Sequence, residues 1–335
     1  MNENPAALIE LATAYWGSAA LIAAVRLRIA TILSEGPKTP TEVAKAAGSD
    51  PSATEMLLAA LTSLDLVRKV DGERFANQPL ADTYLVEGRP EFLGPALLYN
   101  GDVYPLWGRL DEVVRTGKVT QSPEKYLGDD SERTRNFVYG MHHRALGVGR
   151  AIGQHVDLSG RRHLADVGGG PGTYSALLTL KHPGLRADVL DLPGVVAIAR
   201  DIVASMGASE RVQCLPFDYY QDDLPALPAL YDAALISGVL HREQPDGVRS
   251  ILRRVAAATE PGAVLYLSDV MLDDHRTGPL FGTMFALNMR VLAHDGRCHS
   301  VAEQTLWLDE VGFTVTAVTR LPAPIHYTVI RADKR

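Results

Sequence analysis

The sequence contains only two cysteines, Cys214 and Cys298, among its 335 residues. Two isolated thiols form neither a disulfide framework nor a metal-binding or redox spacing, which favours a reducing cytoplasm as the compartment. Basic residues are also scarce, because 33 Lys and Arg stand against 40 Asp and Glu and give a formal net charge of −7. This acidic balance argues against a general polyanion binder, so we expect no nucleic acid partner.

Long apolar runs are missing as well. The stretch GSAALIAAV is interrupted by Arg26 and Arg28, so we expect it to fall far short of a membrane span. The N-terminus has no basic segment followed by a cleavage site, and we expect neither export nor membrane anchoring. With 46% hydrophobic residues, a chain of this length can bury a full core, which predicts two domains.

Residues 1–100 show the pattern of a mainly α-helical, winged-helix-like domain. One short helix is predicted to begin with Thr39 or Thr41 as its N-cap and to end at Gly48, and the next begins with Asp50 as N-cap and Pro51 at its first position. The stretch LVRKVDGERFANQ then has two strand-like pieces around a DG turn, which predicts a hairpin.

A winged helix raises the question of DNA binding, and the charges answer it. Residues 1–100 contain eight Lys and Arg but twelve Asp and Glu. The second predicted helix has no Lys or Arg and is instead rich in large apolar residues, namely Met56, Leu57, Leu58, Leu61 and Leu64. Affinity for DNA rests mainly on basic side chains, so this domain is predicted to serve packing and homodimer formation.

The remainder of the chain, residues 101–335, is predicted to be a helical connector followed by alternating strands and helices. This alternation is typical of a doubly wound parallel sheet, in which ligands bind at the carboxyl ends of the strands. Gly168, Asp191, Asp218 and His241 each follow or end a predicted strand. The pattern therefore predicts one cleft that contains these four residues.

The stretch DVGGGPGTYS, residues 166–175, is a glycine-rich turn between a strand and a helix. It lacks the Lys-Ser/Thr pair of a triphosphate-binding loop, and Thr173 occupies the third glycine position of a dinucleotide-binding loop. Gly168 and Gly170 still permit close backbone approach, and Asp191 is placed to accept hydrogen bonds from ribose hydroxyls. The pattern predicts a nucleoside ligand without a pyrophosphate; a tight turn that binds no ligand is the alternative.

Near the C-terminus, VGFTVTAVTRL and IHYTVIRADK are strand-like and separated only by a short Pro-rich turn, which predicts an antiparallel last strand. At this point the chain resembles the class I S-adenosylmethionine-dependent methyltransferases, and among them the plant and bacterial small-molecule O-methyltransferases. The motifs DVGGGPGTYS, VLDLPGVV, PFDYYQDDLP and LISGVLH carry the resemblance over nearly the whole chain. It implies a Rossmann-like domain with a mostly parallel seven-stranded sheet, preceded by a dimerisation domain.

The resemblance also assigns roles to residues. It implies cofactor contacts to S-adenosylmethionine from six positions: Gly168, Gly170, Asp191, Asp218, Tyr219 and Ser237. His241 becomes the residue that removes the proton of the acceptor hydroxyl, a task that suits a side chain with a pKa near neutrality. The resemblance makes Met141, Arg144, Met284, Asn288 and Met289 plausible pocket residues for the small-molecule acceptor, and each has a structural role as the alternative. Phe137, Met141 and His142 of the helical connector are pocket candidates by position, with plain core packing as the alternative.

The chain departs from the family at the catalytic motif. The usual His-Asp-Trp run reads HREQPD here, and the later stretch LAHDGRCHS adds His294, Asp295 and His299. If the strand persisted through residue 243, its two-residue period would place His241 and Glu243 on one side. Together with His294, or with His299 or Asp295 in its place, they would form a His-acid-His site for a zinc, iron or nickel ion.

Three functions therefore remain open on the sequence. The metal site would polarise an α-keto acid for C-methylation at the carbon next to the ketone, as in a small group of methyltransferases with this fold. A metal-free O-methyltransferase would use His241 as general base toward a phenol or another hydroxyl. A non-catalytic dimeric relative is the third reading, and the intact cofactor residues favour an enzyme over it.

Overall fold

The computed structural model describes residues 4–119, 131–219, 230–293, 295–323 and 325–335. The chain divides into two compact units, Met1–Tyr104 and Pro105–Arg335. Each unit has its own hydrophobic core, and the helix α7 (Gly94–Trp107) contains the boundary between them.

The first unit is mainly helical and has one small hairpin. Its elements are α1 (Ala6–Thr13), α2 (Tyr15–Arg26), α3 (Ile29–Leu33), α4 (Pro40–Ala47), α5 (Pro51–Ser63), β1 (Val67–Val70), β2 (Arg74–Asn77) and α6 (Pro79–Tyr84). The strands β1 and β2 pair antiparallel, as the DG turn predicted. This arrangement confirms the winged-helix-like plan.

Local sequence explains how α4 and α5 begin and end. Thr39 and Glu42 form a reciprocal capping box at the start of α4, and Gly48 ends that helix with a left-handed φ of 66°. Asp50 caps α5 by accepting a hydrogen bond from the backbone N–H of Ala53. Their buried faces join the core of this unit, where a fully buried leucine such as Leu58 contributes about 1.5–3 kcal/mol.

The first two helices of the chain expose apolar side chains. Residues Ala6–Arg26 form a 21-residue helical stretch that is long and apolar enough to cross a membrane by length and composition. The expectation that this segment falls far short of a span was wrong, because the apolar pattern begins before Gly17. In α1 and α2, the large apolar side chains that are more than half exposed are Leu8, Ile9, Leu11, Tyr15 and Trp16.

The second unit alternates strands and helices. Its helices are α8 (Leu110–Thr116), α9 (Ser131–Gly153), α10 (Thr173–Lys181), α11 (Pro193–Ser205), α12 (Pro245–Ala258), α13 (Leu280–Leu292) and α14 (Val301–Glu310). Its strands are β3 (His163–Val167), β4 (Arg186–Asp191), β5 (Val212–Pro216), β6 (Tyr231–Ser237), β7 (Thr259–Asp269), β8 (Phe313–Arg320) and β9 (Thr328–Lys334).

These seven strands form one sheet in the order β5-β4-β3-β6-β7-β9-β8. The first five are parallel to their neighbours, whereas β9 runs antiparallel to both β7 and β8. This topology confirms the predicted sheet and its antiparallel last strand. The central strands are buried on both faces, so their sequences read as continuous apolar runs.

The carboxyl ends of the parallel strands meet at one edge of the sheet. There β3 is followed by Gly168, β4 ends at Asp191, β5 is followed by Asp218, and β7 ends at Asp269. The strand β6 ends at Ser237, and His241 lies beyond it in a 3-10 turn, Leu240–Arg242. The strand therefore does not persist through residue 243, so the condition for placing His241 and Glu243 on one side of a strand is not met.

Candidate active site

The glycine-rich turn after β3 is shaped by close packing and by backbone angles that favour glycine. At Gly168, where φ is 66°, an added Cβ would lie 2.5 Å from Cγ2 of Val239. At Gly170, where φ is 53°, an added Cβ would meet nothing within 4 Å, so it would project into open space above the turn. The turn therefore leaves open space at Gly170, which is compatible with the predicted nucleoside ligand.

Asp191 binds this turn to the neighbouring strand. Its Oδ2 accepts a hydrogen bond of 2.8 Å from the N–H of Gly170, and its Oδ1 accepts one of 2.8 Å from the N–H of Leu192. Burial raises the pKa of this carboxyl, and the two N–H groups and the charge of Arg242 oppose that rise. Each carboxylate oxygen retains a second lone pair, which suits the predicted role of ribose acceptor.

A second carboxyl, Asp166, lies beneath the turn. Its Oδ2 accepts a 2.7 Å hydrogen bond from the hydroxyl of Ser175. Complete burial raises its pKa to about 7, against the effect of that hydrogen bond and with a smaller contribution from the charge of Asp191. An added Cβ at Gly169 would lie 2.7 Å from the Asp166 carboxyl carbon, so the turn rests directly on this group.

The predicted adenine-side residues follow β5. Asp218 and Tyr219 are half-buried, and the Tyr219 hydroxyl donates a 3.1 Å hydrogen bond to Oε1 of Glu243. Glu243 is only 3% exposed. Ser237, the last residue of β6, has its hydroxyl oxygen buried at the same edge of the sheet. These positions are compatible with the implied cofactor contacts, which stay predictions.

His241 is held by a carboxylate that the sequence analysis missed. Its Nδ1 donates a 2.6 Å hydrogen bond to Oδ1 of Asp269, and its backbone N–H lies 3.3 Å from Oδ2 of the same carboxylate. With the proton on Nδ1, the lone pair of the imidazole is on Nε2. Asp269 ends β7, so the rule that located the other strand-end acids applies to it equally. The aspartate missing after His241 in sequence is thus supplied from β7 in space.

The predicted metal ligands that the structure describes take part in hydrogen bonds with neighbouring groups. Glu243 accepts a hydrogen bond from the Tyr219 hydroxyl. Nε2 of His299 lies 3.2 Å from the backbone carbonyl of Leu240 and 3.0 Å from that of Glu243. In the ranges that the structure describes, no group of three His, Cys, Asp or Glu side chains is arranged to hold a metal. His294 lies outside the described residues. Glu243 and His299 thus form hydrogen bonds at the turn that carries His241, and the predicted set of His241, Glu243 and His294 stays a prediction.

His299 instead stabilises the turn that carries His241. Its two hydrogen bonds span the turn, and the N–H of Arg297 donates a 2.8 Å bond to the carbonyl of His241. The imidazole of His299 packs edge-on against Trp307, with ring centroids 4.9 Å apart. The loop before α14 thus positions the turn through backbone contacts.

Aromatic side chains of α13 border His241. The Phe285 ring lies edge-on to the imidazole with centroids 5.0 Å apart, and Phe281 stacks on Phe285 at 6.0 Å. On the same helix, Oδ1 of Asn288 accepts a 2.8 Å hydrogen bond from the indole N–H of Trp107. The Met289 side chain is 8% exposed, so it is part of the core, whereas Met284 is 45% exposed.

The helix α9 contributes the other predicted pocket residues. His142 Nδ1 lies 2.8 Å from the hydroxyl of Thr173 at the start of α10, which ties α9 to the glycine-rich turn. Burial, with the neighbouring charge of His143, lowers the pKa of His142 to about 4, so its imidazole is neutral. Met141 and Arg144 are half-buried on the same helix. Their role toward an acceptor stays a prediction.

Comparisons with known proteins agree with this geometry. A family model of the O-methyltransferase domain matches residues 107–314, and a model of the O-methyltransferase dimerisation domain matches residues 9–87. The 3-hydroxy-5-methyl-1-naphthoate 3-O-methyltransferase of Streptomyces sahachiroi is 32% identical over 324 residues, which are 96% of this chain and 92% of that protein. The N,N-dimethyltransferase OxyT of Streptomyces rimosus is 29% identical over 94% of this chain and 92% of its own length.

Among solved structures, human N-acetylserotonin methyltransferase in complex with SAM superposes with a TM-score of 0.88 and 25% identity, covering 99% of both chains. These relatives are named for transfer to oxygen or nitrogen, and they give no support to the metal-dependent C-methyltransferase branch. The matched models and the full-length likeness show that the chain belongs to the S-adenosylmethionine-dependent O-methyltransferase family, in which a dimerisation domain precedes the methyltransferase domain.

Proposed function

We propose that this enzyme transfers the methyl group of S-adenosylmethionine to a hydroxyl oxygen of a small acceptor in secondary metabolism, with His241 as general base. The observation that carries the proposal is the 2.6 Å hydrogen bond between Nδ1 of His241 and Asp269. It fixes the tautomer with the lone pair on Nε2, the form that accepts a proton. A relative named as an O-methyltransferase supports oxygen as the atom that accepts the methyl group.

S-adenosylmethionine, when bound, supplies an electrophilic methyl group on a sulfonium. The chain supplies the binding surface and the proton acceptor. The turn at Gly168–Gly170 and the carboxylate of Asp191 are the groups that fit its methionine and ribose parts. Nε2 of His241 takes the hydroxyl proton as the acceptor oxygen attacks, and Asp269 stabilises the imidazolium that forms. Most of the remaining acceleration comes from holding the acceptor in line, which the Phe281 and Phe285 walls favour.

The test is methyl transfer from S-adenosylmethionine to a panel of phenols, aromatic amines and α-keto acids, with and without a chelator. We expect methylated phenol in both conditions and a loss of about 10²–10⁴-fold in kcat for His241→Ala. His155→Ala is the matched control, because this exposed histidine is remote from the strand ends in sequence and should keep full activity. Chelator-sensitive methylation of a keto acid carbon, or turnover of amines alone, would overturn the proposal.

We also propose that the enzyme is a homodimer through residues 1–100. The dimerisation model covers residues 9–87, and the exposed apolar side chains of α1 and α2 are the surface that a dimer would bury. Light scattering should report twice the monomer mass for the wild type and a shift toward monomer for the double variant Leu11→Glu, Trp16→Glu. Leu306→Glu, at an exposed apolar position of α14, is the control and should leave the dimer intact. A monomeric wild type would contradict the proposal.

A further inference from the structure

The guanidinium of Arg144 has no carboxylate partner among the residues that the structure describes. It is half-buried on α9 within the second unit. Across the described residues, no carboxylate forms an ion pair with it and no hydrogen bond of its side chain is found. Removing a cation partly from water is costly unless an anion compensates it. The position therefore calls for a negative group that the described chain does not supply.

The hydroxyl of Tyr327 is a second hydrogen-bond donor, and it lies near His241. Its side chain is 8% exposed and belongs to the core cluster against which Phe281, Phe285 and Tyr174 pack. The hydroxyl of Tyr327 lies 3.8 Å from the point where a Cβ on Gly238 would stand, and Cε1 of His241 lies 3.7 Å from that same point. The phenol of Tyr327 and the imidazole of His241 thus both lie next to Gly238.

Arg144 lies on α9 between His142, which is hydrogen-bonded to Thr173, and Gly149, where an added Cβ would lie 2.7 Å from the Tyr174 ring. Tyr174 in turn packs on the core cluster that contains Tyr327. Burial raises the pKa of the Tyr327 phenol, and the charge of Arg144 opposes this rise, while Asp269 and Cys298 add to it. Arg144 acts on the buried phenol of Tyr174 in the same direction. Asp269 is the one carboxylate among the groups that shift the pKa of Tyr327. Its oxygens already accept hydrogen bonds from Nδ1 and the backbone N–H of His241 and from the N–H of Val270.

We infer that Arg144 and Tyr327 bind a carboxylate of the methyl acceptor, so that the acceptor is a hydroxyarene carboxylate. The guanidinium offers a planar pair of donors that matches a carboxylate, and a phenol adds a third hydrogen bond. The aromatic ring of the acceptor lies against Phe281 and Phe285, and its hydroxyl faces Nε2 of His241. This inference rests on the proposed function, because it concerns the acceptor of the same transfer.

The first experiment compares three acceptors of one shape: 3-hydroxy-1-naphthoate, its methyl ester and 2-naphthol. We expect kcat/KM for the acid to exceed that for the ester by about 100-fold, as a charged hydrogen-bond pair implies. Arg144→Gln should reduce this acid-to-ester ratio by about 100-fold, and Tyr327→Phe by roughly fivefold. Arg150→Gln, an exposed arginine of the same helix, is the matched control and should keep the ratio. An ester used as well as the acid by the wild type would overturn the inference.

The second experiment separates this inference from the cofactor and from catalysis. Calorimetry gives the Kd of S-adenosylhomocysteine, whose own carboxylate is the competing source of the anion, for wild type and Arg144→Gln. An unchanged Kd supports the acceptor site, whereas a tenfold weaker one assigns Arg144 to the cofactor and overturns it. Binding of 3-hydroxy-1-naphthoate to the enzyme loaded with S-adenosylhomocysteine needs no turnover. Arg144-dependent binding of the acid without methylation of its hydroxyl would refute the proposed O-methylation and support the carboxylate site.

Discussion

The cofactor side and the acceptor side of the strand-end cleft are built in opposite ways. On the cofactor side, Gly168, Gly170 and Asp191 lie within 24 residues of sequence and are joined by hydrogen bonds between turn and strand. On the acceptor side, the groups come from four distant segments, around residues 144, 241, 269 and 327. There Arg144 has no carboxylate partner among the described residues.

The difference reflects what each side must bind. A cofactor shared by a whole family is bound by backbone and one carboxylate, which short motifs encode and which need no further ligand to be stable. On the acceptor side, we propose that Arg144 and Tyr327 hydrogen-bond the substrate, which would explain why Arg144 has no carboxylate partner among the described residues. Variants that affect one side alone should therefore separate cofactor affinity from turnover.

The largest effect is expected at Asp269, on the acceptor side. Asp269→Asn keeps the size of the side chain but favours the wrong tautomer of His241, so kcat should fall by about 10³–10⁴-fold. The Kd of S-adenosylhomocysteine, measured by calorimetry, should stay within twofold. Equal losses in cofactor affinity and kcat would show that Asp269 affects cofactor binding as well as catalysis, so that the two sides are coupled.

The next effect concerns the pH dependence of stability through Asp166, beneath the cofactor turn. Burial raises its pKa from 3.8 to about 7, so the folded state binds the proton more tightly than the unfolded state. This carboxyl therefore favours folding at low pH, and its contribution is lost as the pH rises from 3.8 toward 7. Asp166→Asn can still accept the Ser175 hydrogen bond but does not titrate.

Between pH 5 and pH 8, the free energy of unfolding of the wild type should fall by roughly 2–3 kcal/mol relative to Asp166→Asn. Chemical denaturation at both pH values measures this difference. Asp201→Asn, at an exposed position of α11, is the control. It should change the free energy of unfolding by the same amount at pH 5 and at pH 8. An equal pH dependence of the wild type and Asp166→Asn over this range would show that Asp166 is already ionised in the folded state at pH 5.

Much of the cofactor side was predictable, and the reason is local. Glycines with a left-handed φ, helix caps and an acid at the end of a strand are encoded within a few residues, so the parallel sheet and the turn follow from the sequence. The partner of His241 was not found, because Asp269 is brought to it by the order β6-β7 in the sheet. The metal hypothesis, which the comparisons do not support, depended on a similar step. It assumed a strand through residue 243, whereas the chain leaves β6 at Ser237 and turns.

A smaller effect is expected at Gly168, on the cofactor side. An alanine there would place Cβ 2.5 Å from Val239 and would hold a side chain at a φ of 66°. Gly168→Ala should weaken binding of S-adenosylhomocysteine by roughly 10–50-fold, since the turn must shift. Adding Val239→Ala removes the clash but not the backbone strain, so affinity should recover only in part. Gly184→Ala, where an added Cβ meets nothing within 4 Å, is the control. An unchanged affinity in Gly168→Ala would remove this turn from the cofactor site.

The smallest effect is expected at His299, which touches neither side directly but positions the turn of His241. His299→Leu removes the donor to the carbonyls of Leu240 and Glu243, and unpaired buried carbonyls should cost about 1–3 kcal/mol of stability. A displaced His241 should lower kcat by roughly tenfold without a change in the Kd of S-adenosylhomocysteine. His299→Gln retains an N–H donor of similar reach and should restore most of kcat. If both variants lose stability equally while kcat is unchanged, the turn is held by its own backbone and His299 does not position the base.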